Sequence, residues 1–446
     1  MPRLFGTDGI RLIANSELTG DLAHGIGRAA IVALNESRGR RPRIAVGRDT
    51  RASGEFLEAA LVSGICSAGG DALLLGVVTT PGVAFLTRDL EATAGIVISA
   101  SHNPVEYNGI KIFGANGYKL PDEVEDDIER TLSADDGPRP TGRGIGRIRP
   151  AADAHRRYLD HLAGAAEGTL DGMRLVVDCA NGSASADAPA LFRRLGADVV
   201  ELNAEPDGWN INEGGGATQP EAMAATVVAA SADAGVAFDG DADRAIFADA
   251  EGNVIDGDQV LAACAVAMHE DGALPGDQVV ATVMSNLGLR RCLHEAGVAM
   301  LETRVGDRYV LEEMLRSGAA LGGEQSGHVI FMAHATTGDG LLTGVHFLTL
   351  ATRRGVPVSK LAATMRRYPQ ALVNVEVRDR EALDGADEVW AAVRGAEGAM
   401  GERGRVLVRA SGTEPLVRVM VEAPTQEEAD GYAESIAGSV RVALGA

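Results

Sequence analysis

Short, continuously apolar runs alternate with amphipathic stretches along most of the chain, and this alternation is the feature that most constrains its fold. Five of the runs predict strands, at 43–47, 95–98, 173–177, 235–238 and 278–281. Their apolar residues occupy successive positions, as in strands that are buried on both faces. Residues 53–67 and 188–195 have helical periodicity instead. Strands and helices in alternation predict right-handed βαβ units in an α/β sheet.

A helix–glycine–strand pattern recurs three times and supports several such units. Gly69, Gly196 and Gly297 each follow an amphipathic stretch and precede an apolar run, at 72–77, 197–202 and 298–301. Glycine takes the left-handed conformation that closes a helix, so the pattern has a physical basis. Any α/β protein repeats this connection, so the repeat by itself is modest evidence for related domains.

Changes in composition indicate where the domains divide. The chain has 446 residues, enough for roughly three domains at about 150 residues each. Residues 133–150 are rich in Gly, Pro and Arg, and softer breaks lie near 252–258 and 368–369. Beyond the last break, residues 373–377 alternate between apolar and polar, which predicts a half-exposed strand in a smaller α+β unit.

Charge and cysteine content exclude several classes of function. The net charge is −22, which argues against a nucleic-acid partner because phosphate backbones are bound through clustered cations. A small anionic ligand needs only a few local cations. The cysteines lie far apart and suit a reducing cytosol, at positions Cys66, Cys179, Cys264 and Cys292. There is no secretion signal and no apolar run near ~20 residues, so we expect a cytoplasmic protein with no membrane partner.

A serine motif, SASHNP at 99–104, directly follows the predicted strand 95–98. Ser101 is therefore expected at the carboxyl end of a strand, where open α/β sheets bind their ligands. His102 is adjacent and Lys111 follows shortly after. A serine hydroxyl needs activation to act as a nucleophile, and the alternative is an ordinary capped turn.

An acidic motif, DGDADR at 239–244, follows the predicted strand 235–238. Its carboxylates, Asp239, Asp241 and Asp243, would repel one another without a cation, and hard oxygen ligands of this kind suit Mg²⁺. An EF-hand loop is excluded because its sixth and twelfth positions would be Arg244 and Ala250. The alternative is a solvated acidic loop, which we consider the weaker interpretation.

The motif GGEQSGH, at 322–328, combines flexible backbone with several polar side chains. Glu324 and Ser326 could hydrogen-bond the hydroxyls of a sugar, together with His328. Alternatively, the two glycines form a simple turn and His328 is a satisfied histidine at the start of the strand 329–331.

The motif RASGTEP, at 409–415, has the composition of a phosphate site. Guanidinium groups match phosphate oxygens, and backbone N–H groups near glycine can complete the site. The candidate ligands are Arg409, Ser411, Gly412, Thr413 and Arg418. The alternative is a loop whose arginines pair with surface acids.

In this order, the four motifs resemble those of the α-D-phosphohexomutase superfamily, and the resemblance covers essentially the whole chain. They correspond to its phosphoserine, metal, sugar and phosphate loops. The opening FGTDGIR (5–11), the form of the sugar loop, the run VGDRYV (305–310) and the SGTEP sequence are most similar to the bacterial amino-sugar branch. Two positions differ from the usual pattern: Leu12 stands where the superfamily has Gly, and Arg304 where it often has Lys.

The resemblance implies a fold of three related α/β domains with mixed sheets plus a smaller C-terminal α+β domain around a central cleft. We expect domain I with the phosphoserine loop at 1–150 and domain II with the metal loop at 151–254. Domain III with the sugar loop is expected at 255–367, and domain IV with the phosphate loop at 368–446.

The resemblance also implies an activity. It is the interconversion of glucosamine 6-phosphate and glucosamine 1-phosphate through a phosphoserine enzyme, with glucosamine 1,6-bisphosphate as intermediate and activator. The product would feed UDP-N-acetylglucosamine and cell-wall synthesis. The partner would be a small sugar phosphate, and the protein a monomer or homodimer.

By resemblance, each motif residue has an expected role. Ser101 would carry the phosphoryl group and, with Asp239, Asp241 and Asp243, would hold Mg²⁺. Glu324 and Ser326 would bind sugar hydroxyls. The other phosphate of the substrate would be bound by Arg409, Ser411, Gly412, Thr413 and Arg418. The charge-stabilising or acid/base groups would be Arg11, His102, Lys111, Arg244 and His328.

Two alternatives stay open at this stage. One is a phosphomannomutase/phosphoglucomutase. Gln325 distinguishes the chain from these enzymes, because mannose enzymes usually have Met at that position. The other is a metal-dependent sugar phosphatase that uses Ser101 as its nucleophile. A full sugar loop together with a separate phosphate loop favours the mutase.

Overall fold

The computed structural model describes residues 3–6, 8–34, 41–134, 137–411 and 415–445. The chain divides into two compact units. The larger comprises Met1–Met284 and Gly297–Thr364, and the smaller comprises Ser285–Ala296 and Met365–Ala446. No helix in the described ranges is both long enough and apolar enough to cross a membrane.

The first part of the larger unit is a six-stranded mixed sheet with helices. Its elements are β1 (Ile10–Ile13), α1 (Gly20–Leu34), β2 (Arg43–Arg48), α2 (Ala52–Ser67), β3 (Asp71–Val77), α3 (Thr80–Asp89), β4 (Ala94–Ile98), β5 (Tyr107–Gly114), α4 (Asp122–Ala134) and β6 (Ile148–Pro150). The strand order is β1-β5-β4-β2-β3-β6. β2 is parallel to β3 and β4, whereas β5 is antiparallel to β4 and β1. The segment expected to be a linker thus ends in β6, which pairs with β3.

The second sheet has five strands in the order β11-β10-β9-β7-β8. Its region contains α5 (Ala154–Gly164), β7 (Arg174–Asp178), α6 (Asp187–Arg194), β8 (Asp198–Leu202), α7 (Glu221–Ala230), β9 (Ala234–Phe238), β10 (Ala245–Asp249) and β11 (Val254–Ile255). β7 is parallel to β8 and β9, and the β9–β10 and β10–β11 pairs are antiparallel. β9 is buried at every position, which places the residues after it at the end of a rigid strand.

The third sheet has four strands in the order β13-β12-β14-β15. Its region in the larger unit contains α8 (Gly257–Glu270), β12 (Gln278–Thr282), β13 (Ala299–Thr303), α10 (Asp307–Ser317), β14 (Leu321–Gly323), β15 (Val329–Phe331), α11 (Gly340–Arg354) and α12 (Val358–Ala362). β12 is parallel to β13 and β14, and β15 closes the sheet antiparallel to β14.

The smaller unit has a three-stranded antiparallel sheet in the order β16-β18-β17. It contains α9 (Leu287–Glu295), β16 (Gln370–Glu376), α13 (Asp387–Met400), β17 (Arg405–Ala410), β18 (Leu416–Glu422) and α14 (Gln426–Leu444). α9 belongs here because the buried Glu422 accepts hydrogen bonds from Asn286 Nδ2 at 3.1 Å and from Leu287 N at 2.9 Å. The start of α9 is thereby fixed to the end of β18.

The strand and repeat predictions are confirmed. All five apolar runs coincide with largely buried strands, with only Met173 falling outside its strand, and all five strands (β2, β4, β7, β9 and β12) are paired wholly or partly in parallel as expected. Gly69, Gly196 and Gly297 have φ angles of 96°, 103° and 78°, so each takes the left-handed conformation after its helix. The predicted fold class, three mixed α/β sheets plus a smaller α+β unit, is confirmed as well.

Candidate active site

The serine loop, residues 99–104, directly follows β4 as predicted. Ser101 is buried and has a φ of 51°, an uncommon conformation for a residue with a Cβ. Its N–H donates to the Ser99 hydroxyl oxygen at 3.0 Å. Ser99 in turn donates to Asp49 Oδ2 at 2.6 Å. The loop conformation is therefore held by hydrogen bonds that begin at a buried carboxylate.

A buried arginine braces the same loop. The Arg51 guanidinium donates to the carbonyl oxygens of Ser101 (3.0 Å), Asn103 (2.7 Å) and Pro104 (2.6 Å), and to Asp49 Oδ2 (3.0 Å). Arg51 is fully buried, so these bonds satisfy a charge that would otherwise be costly. The sequence analysis missed both Asp49 and Arg51. The available signal was a polar run immediately after a buried strand.

The metal loop follows β9 and brings its three carboxylates together, as predicted. Asp239, Asp241 and Asp243 each offer one oxygen, and these oxygens lie within 4.8 Å of one another. Gly240 has no room for a side chain, because an added Cβ would lie 2.6 Å from the Ser101 carbonyl oxygen. Ser101 Oγ donates to Asp239 Oδ2 at 2.7 Å. The serine and metal loops therefore meet at the predicted nucleophile.

The donor set of this triplet fits a divalent cation. Asp241 Oδ1 and Asp243 Oδ1 are buried and have no hydrogen-bond partner in the described part of the chain. Burial raises the pKa of Asp239 well above its usual value, and the charges of Asp243 and Asp241 raise it further. A cation among the three oxygens would satisfy the two buried atoms and remove the repulsion.

Lys111, on β5, supplies a buried positive charge to the metal loop. Its Nζ lies 2.9 Å from Asp241 Oδ2, 3.1 Å from Asp8 Oδ2 and 3.8 Å from Asp243 Oδ2. Burial lowers the pKa of Lys111, but Asp241 and Asp8 outweigh burial and raise it above its usual value. The ammonium group is therefore a fixed charge rather than a proton carrier at neutral pH.

His102 lies beside the serine hydroxyl, and Arg244 contacts the metal loop. The Arg244 backbone N–H donates to Asp239 Oδ1 at 3.3 Å, and His102 Nδ1 lies 3.2 Å from Ser101 Oγ. Burial lowers the pKa of His102 to about 4, and the charges of Arg244 and Arg11 contribute to the shift. The imidazole beside Ser101 is thus neutral at neutral pH.

His328 stands at the start of β15, facing the metal loop. The Gly338 N–H donates to His328 Nε2 at 3.1 Å, so Nε2 acts as an acceptor and the ring proton lies on Nδ1. Nδ1 is 3.7 Å from Asp243 Oδ2. An added Cβ on Gly338 would lie 2.4 Å from Nε2, which explains why this turn carries glycine.

Arg11 lies on β1 and reaches the serine loop. Its Nη1 donates to Asn103 Oδ1 at 3.1 Å, and its Nη2 pairs with Asp8. Leu12, the departure from the superfamily pattern, pairs with Asn108 in the β1–β5 ladder and packs against the core of this domain. Leucine is accommodated by regular strand geometry here, and Arg11 stays beside the serine loop.

The sequence analysis missed an ionic cluster next to Arg11. Lys119 pairs with both Asp8 and Asp307. The signal was compositional: the chain has 38 arginines but only three lysines, and two of the three, Lys111 and Lys119, lie in this region.

The sugar loop spans 324–327, between β14 and β15. Gly322 and Gly323 were expected to supply flexible backbone, or a turn, and this interpretation is wrong because both are residues of β14. An added Cβ would lie 2.5 Å from the His328 carbonyl oxygen at Gly323 and 2.6 Å from Met314 Sδ at Gly322. These glycines are thus required by close packing.

Two of the loop side chains, Glu324 and Ser326, were predicted to bind sugar. Glu324 Oε1 accepts the Gly306 N–H at 2.9 Å, which fixes one carboxylate oxygen. Ser326 Oγ is buried and has no hydrogen-bond partner among the described residues. Gln325 Nε2 instead donates to Asp256 Oδ2, at the start of α8, at 3.3 Å.

The predicted phosphate residues lie in the smaller unit. Arg409 is not in a loop but on β17, directly opposite Arg418 on β18 in the antiparallel register. Burial lowers the pKa of Arg409, and the charge of Arg418 lowers it further. Ser411 is buried just beyond the strand. Gly412 and Thr413 lie outside the described residues.

Comparisons with known proteins agree with this geometry. Models of the phosphoglucomutase/phosphomannomutase family match in four parts: α/β/α domain I at 2–138, domain II at 156–252, domain III at 256–368 and the C-terminal domain at 372–439. Together they cover most of the chain.

Among solved structures, a phosphoglucomutase/phosphomannomutase family protein from Burkholderia thailandensis has a TM-score of 0.84 at 26% identity, over 99% of this chain and 97% of that chain. The N-acetylphosphoglucosamine mutase of Aspergillus fumigatus, solved in complex with GlcNAc-6P and magnesium, has a TM-score of 0.67 at 18% identity. That match covers 99% of this chain and 96% of the other and indicates a shared fold.

Curated relatives are much closer in sequence. The phosphoglucosamine mutase of Moorella thermoacetica is 55% identical over the full length of both chains. That of Thermobifida fusca is 52% identical over 99% of this chain and 98% of its own. The resemblance inferred from the motifs is therefore confirmed: the chain belongs to the phosphoglucomutase/phosphomannomutase family of α-D-phosphohexomutases and, within it, to the phosphoglucosamine mutases.

Proposed function

We propose that the chain interconverts glucosamine 6-phosphate and glucosamine 1-phosphate by way of a phosphorylated Ser101. The observation that carries the proposal is the 2.7 Å hydrogen bond from Ser101 Oγ to Asp239, within the aspartate triplet. This contact supports a phosphoryl group on Ser101 that would lie beside a divalent cation. The full-length relatives named phosphoglucosamine mutases support this choice of substrate.

We propose Mg²⁺ as the cation, held by Asp239, Asp241, Asp243 and an oxygen of the phosphate on Ser101. Magnesium present in the fungal complex supports this assignment. When bound, the ion neutralises the charge of the phosphoryl group and of the atoms that exchange it. Lys111, 2.9 Å from Asp241 Oδ2, and Arg244, whose Nε lies 3.8 Å from Asp243 Oδ1, are cations of this chain that would stabilise the same charge.

The reaction requires two transfers with the same serine. A sugar hydroxyl oxygen bonds to the phosphorus while the bond from phosphorus to Ser101 Oγ breaks, which gives glucosamine 1,6-bisphosphate and a free serine. In the second transfer, Ser101 Oγ takes the other phosphoryl group, and the product sugar keeps the first. His102, which is neutral and whose Nδ1 lies 3.2 Å from Ser101 Oγ, could exchange the serine proton once the hydrogen bond from Ser101 to Asp239 is broken. His328 can assist a proton on the sugar side.

The remaining contacts would orient the sugar. Glu324 and the Ser326 hydroxyl, which has no hydrogen-bond partner in the ranges that the structure describes, would bind sugar hydroxyls, and Arg11 would stabilise charge near the serine loop. The non-reacting phosphate binds to the C-terminal phosphate site. We assign this site to Arg409, Ser411, Gly412, Thr413 and Arg418. Two opposed guanidinium groups favour a dianion between them.

The same proposal includes the organisation and setting of the protein. The domains would be those expected from the sequence, 1–150, 151–254, 255–367 and 368–446. We further propose a cytoplasmic monomer or homodimer that binds a small sugar phosphate and no nucleic acid, with a product that supplies UDP-N-acetylglucosamine for peptidoglycan precursors.

One experiment tests the central claim. Protein phosphorylated on Ser101, verified by intact mass, is assayed with Mg²⁺ and glucosamine 1,6-bisphosphate on glucosamine, glucose and mannose 6-phosphates. We expect glucosamine 6-phosphate to turn over fastest, and Ser101→Ala to lower kcat by more than about a thousandfold because the covalent route is lost. Faster turnover of glucose or mannose phosphate would contradict the substrate assignment.

A metal-dependent phosphatase is the second candidate, because Ser101 lies among charged groups that would also suit hydrolysis. Free phosphate distinguishes the two functions. A mutase releases almost none while the sugar phosphates interconvert, whereas a phosphatase releases one phosphate for each substrate consumed. Steady release of phosphate at the rate of substrate loss would support the phosphatase.

A further inference from the structure

Lys119 connects two parts of the larger unit that lie far apart in sequence. Its Nζ pairs with Asp8, in the N-terminal loop, and with Asp307, the first residue of α10. The two carboxylates thus share one ammonium group. Burial lowers the pKa of Lys119, but Asp307 and Asp8 raise it above its usual value, so the bridging charge is permanent at neutral pH.

On one side the bridge leads to the metal loop. Asp8 accepts from Lys119 through Oδ1, while its Oδ2 pairs with Arg11 and lies 3.1 Å from Lys111. Lys111 in turn contacts Asp241. Asp8 is therefore the point at which the cations beside the serine and metal loops are tied together.

On the other side the bridge leads to the sugar loop. Asp307 follows Gly306, whose N–H donates to Glu324 Oε1 at 2.9 Å. Asp307 Oδ2 also lies 4.0 Å from His328 Nε2. A displacement of Asp307 would therefore move both the turn that holds Glu324 and the surroundings of His328.

The scarcity of lysine in the chain also supports a specific role for Lys119. Among 38 arginines there are three lysines, of which Lys360 is exposed on α12 and the other two bridge carboxylates in this region. A lysine head group is a compact charge, whereas arginine presents a wide planar fork. Two carboxylates that contact a single nitrogen, as Asp8 and Asp307 contact Lys119 Nζ, favour the compact ammonium group of lysine.

We propose that Lys119 is a positioning residue that holds the sugar loop in register with the metal loop by joining Asp307 to Asp8. The inference rests on the proposed function for its kinetic consequence. Without the ammonium group, the two carboxylates repel each other, the Gly306 turn moves, and Glu324 no longer meets the sugar correctly. Lys111 keeps its own contact with Asp241, so we expect phosphoryl transfer itself to be preserved.

The test compares Lys119→Met and Lys119→Arg with Lys360→Met, the matched control. We expect Lys119→Met to raise KM for glucosamine 6-phosphate about tenfold while kcat changes less than about threefold. Lys119→Arg, which keeps the charge on a wider group, should fall between Lys119→Met and the unaltered chain, and Lys360→Met should match the unaltered chain. A fall in kcat with KM unchanged in Lys119→Met would overturn the proposal, as would unchanged kinetics.

A double-mutant cycle with Asp307→Asn separates bridging from a general structural role. If Lys119 acts through Asp307, the double variant has nearly the KM of Lys119→Met, whereas independent roles would make the two increases multiply. The unaltered chain, the two single variants and the double variant are also compared in free energy of unfolding without substrate. A loss in the double variant that is smaller than the sum of the two single losses supports the bridge, and additive losses contradict it. If the unaltered chain has no activity on glucosamine 6-phosphate, the proposed function is refuted. The unfolding measurements would still show whether Lys119 joins Asp307 to Asp8.

Discussion

Two clusters of like charge, one in each compact unit, pose the same electrostatic problem with opposite sign. In the larger unit, Asp239, Asp241 and Asp243 converge within 4.8 Å. In the smaller unit, Arg409 lies directly opposite Arg418. Like charges at these separations repel. Each cluster is therefore less stable by itself than with an ion of opposite charge.

The clusters differ in how much of that compensation is part of the chain. The triplet has buried cations against it, and Lys111 is held so firmly by carboxylates that its pKa is raised. The pKa of Arg409 is lowered by burial and by Arg418. The triplet thus has a buried counter-charge within the chain, whereas burial and Arg418 both disfavour the charge of Arg409. We therefore expect the arginine pair to gain more from a bound ion than the triplet does, in line with the proposed metal and phosphate sites.

The largest expected effect is the loss of stability when Lys111, the counter-charge of the aspartate triplet, is replaced. Lys111→Met leaves the fully buried Asp241 without its ammonium partner, while Asp8 keeps Lys119 and Arg11, and breaking a buried pair in this way costs about 3–5 kcal/mol. Urea unfolding of metal-free protein measures the loss, with Lys360→Met as the control. A loss below about 1 kcal/mol would mean that the chain itself does not compensate the triplet, and the contrast between the clusters would fail.

The next largest effect is the rise in Tm that we expect when Mg²⁺ is added. At about 100 times its Kd, a ligand that binds only the folded state adds about 2.7 kcal/mol of stability, so Mg²⁺ should raise Tm measurably. Asp243→Asn, which removes one carboxylate charge, should abolish most of that increase, and Asp258→Asn on α8 is a matched control outside the triplet. An equal Mg²⁺-dependent shift in Asp243→Asn would place the ion elsewhere.

The sequence was sufficient to predict the aspartate cluster because its three acids are close together in the chain. Each predicted loop follows its strand, and β4 and β9 deliver Ser101 and Asp239 to one point. The brace from Arg51 could not be predicted, because its bonds to the serine loop span about 50 residues and depend on the order of β2 and β4 in the sheet.

Errors in the sequence interpretation have the same origin. Gly322 and Gly323 have the composition of a flexible turn, yet the approach of β15 and α10 makes them strand residues. A long-range contact was likewise beyond sequence patterns: Leu287, at the start of α9 and within the span expected for domain III, donates to Glu422, 135 residues away. Local composition indicates the chemistry of a segment, whereas its neighbours in the sheet determine its conformation.

A smaller effect is expected on phosphate binding. Arg418→Met removes one of two guanidinium groups from the proposed phosphate site, and we expect KM for glucosamine 6-phosphate to rise about tenfold, equivalent to about 1.4 kcal/mol. Arg403→Met, an exposed arginine of the same unit, is the control. Mg²⁺ should still raise the Tm of Arg418→Met as in the unaltered chain, because the triplet is intact. Unchanged KM would exclude Arg418 from the phosphate site.

The smallest expected effect is a change in the ligand-free stability of Arg409→Gln. Its sign shows whether the arginine pair, like the aspartate triplet, is compensated within the chain. Without ligand, Arg409→Gln removes a like charge from the strand pair, and such cross-strand terms are worth about 0.2–1 kcal/mol. We therefore expect this variant to be slightly more stable than the unaltered chain in ligand-free urea unfolding, although it binds sugar phosphate less well. Saturating sugar phosphate should reverse the order, because only the unaltered chain gains the full anion contact. If Arg409→Gln is instead less stable without ligand, the pair is compensated within the protein as the aspartate triplet is, and the two clusters are alike.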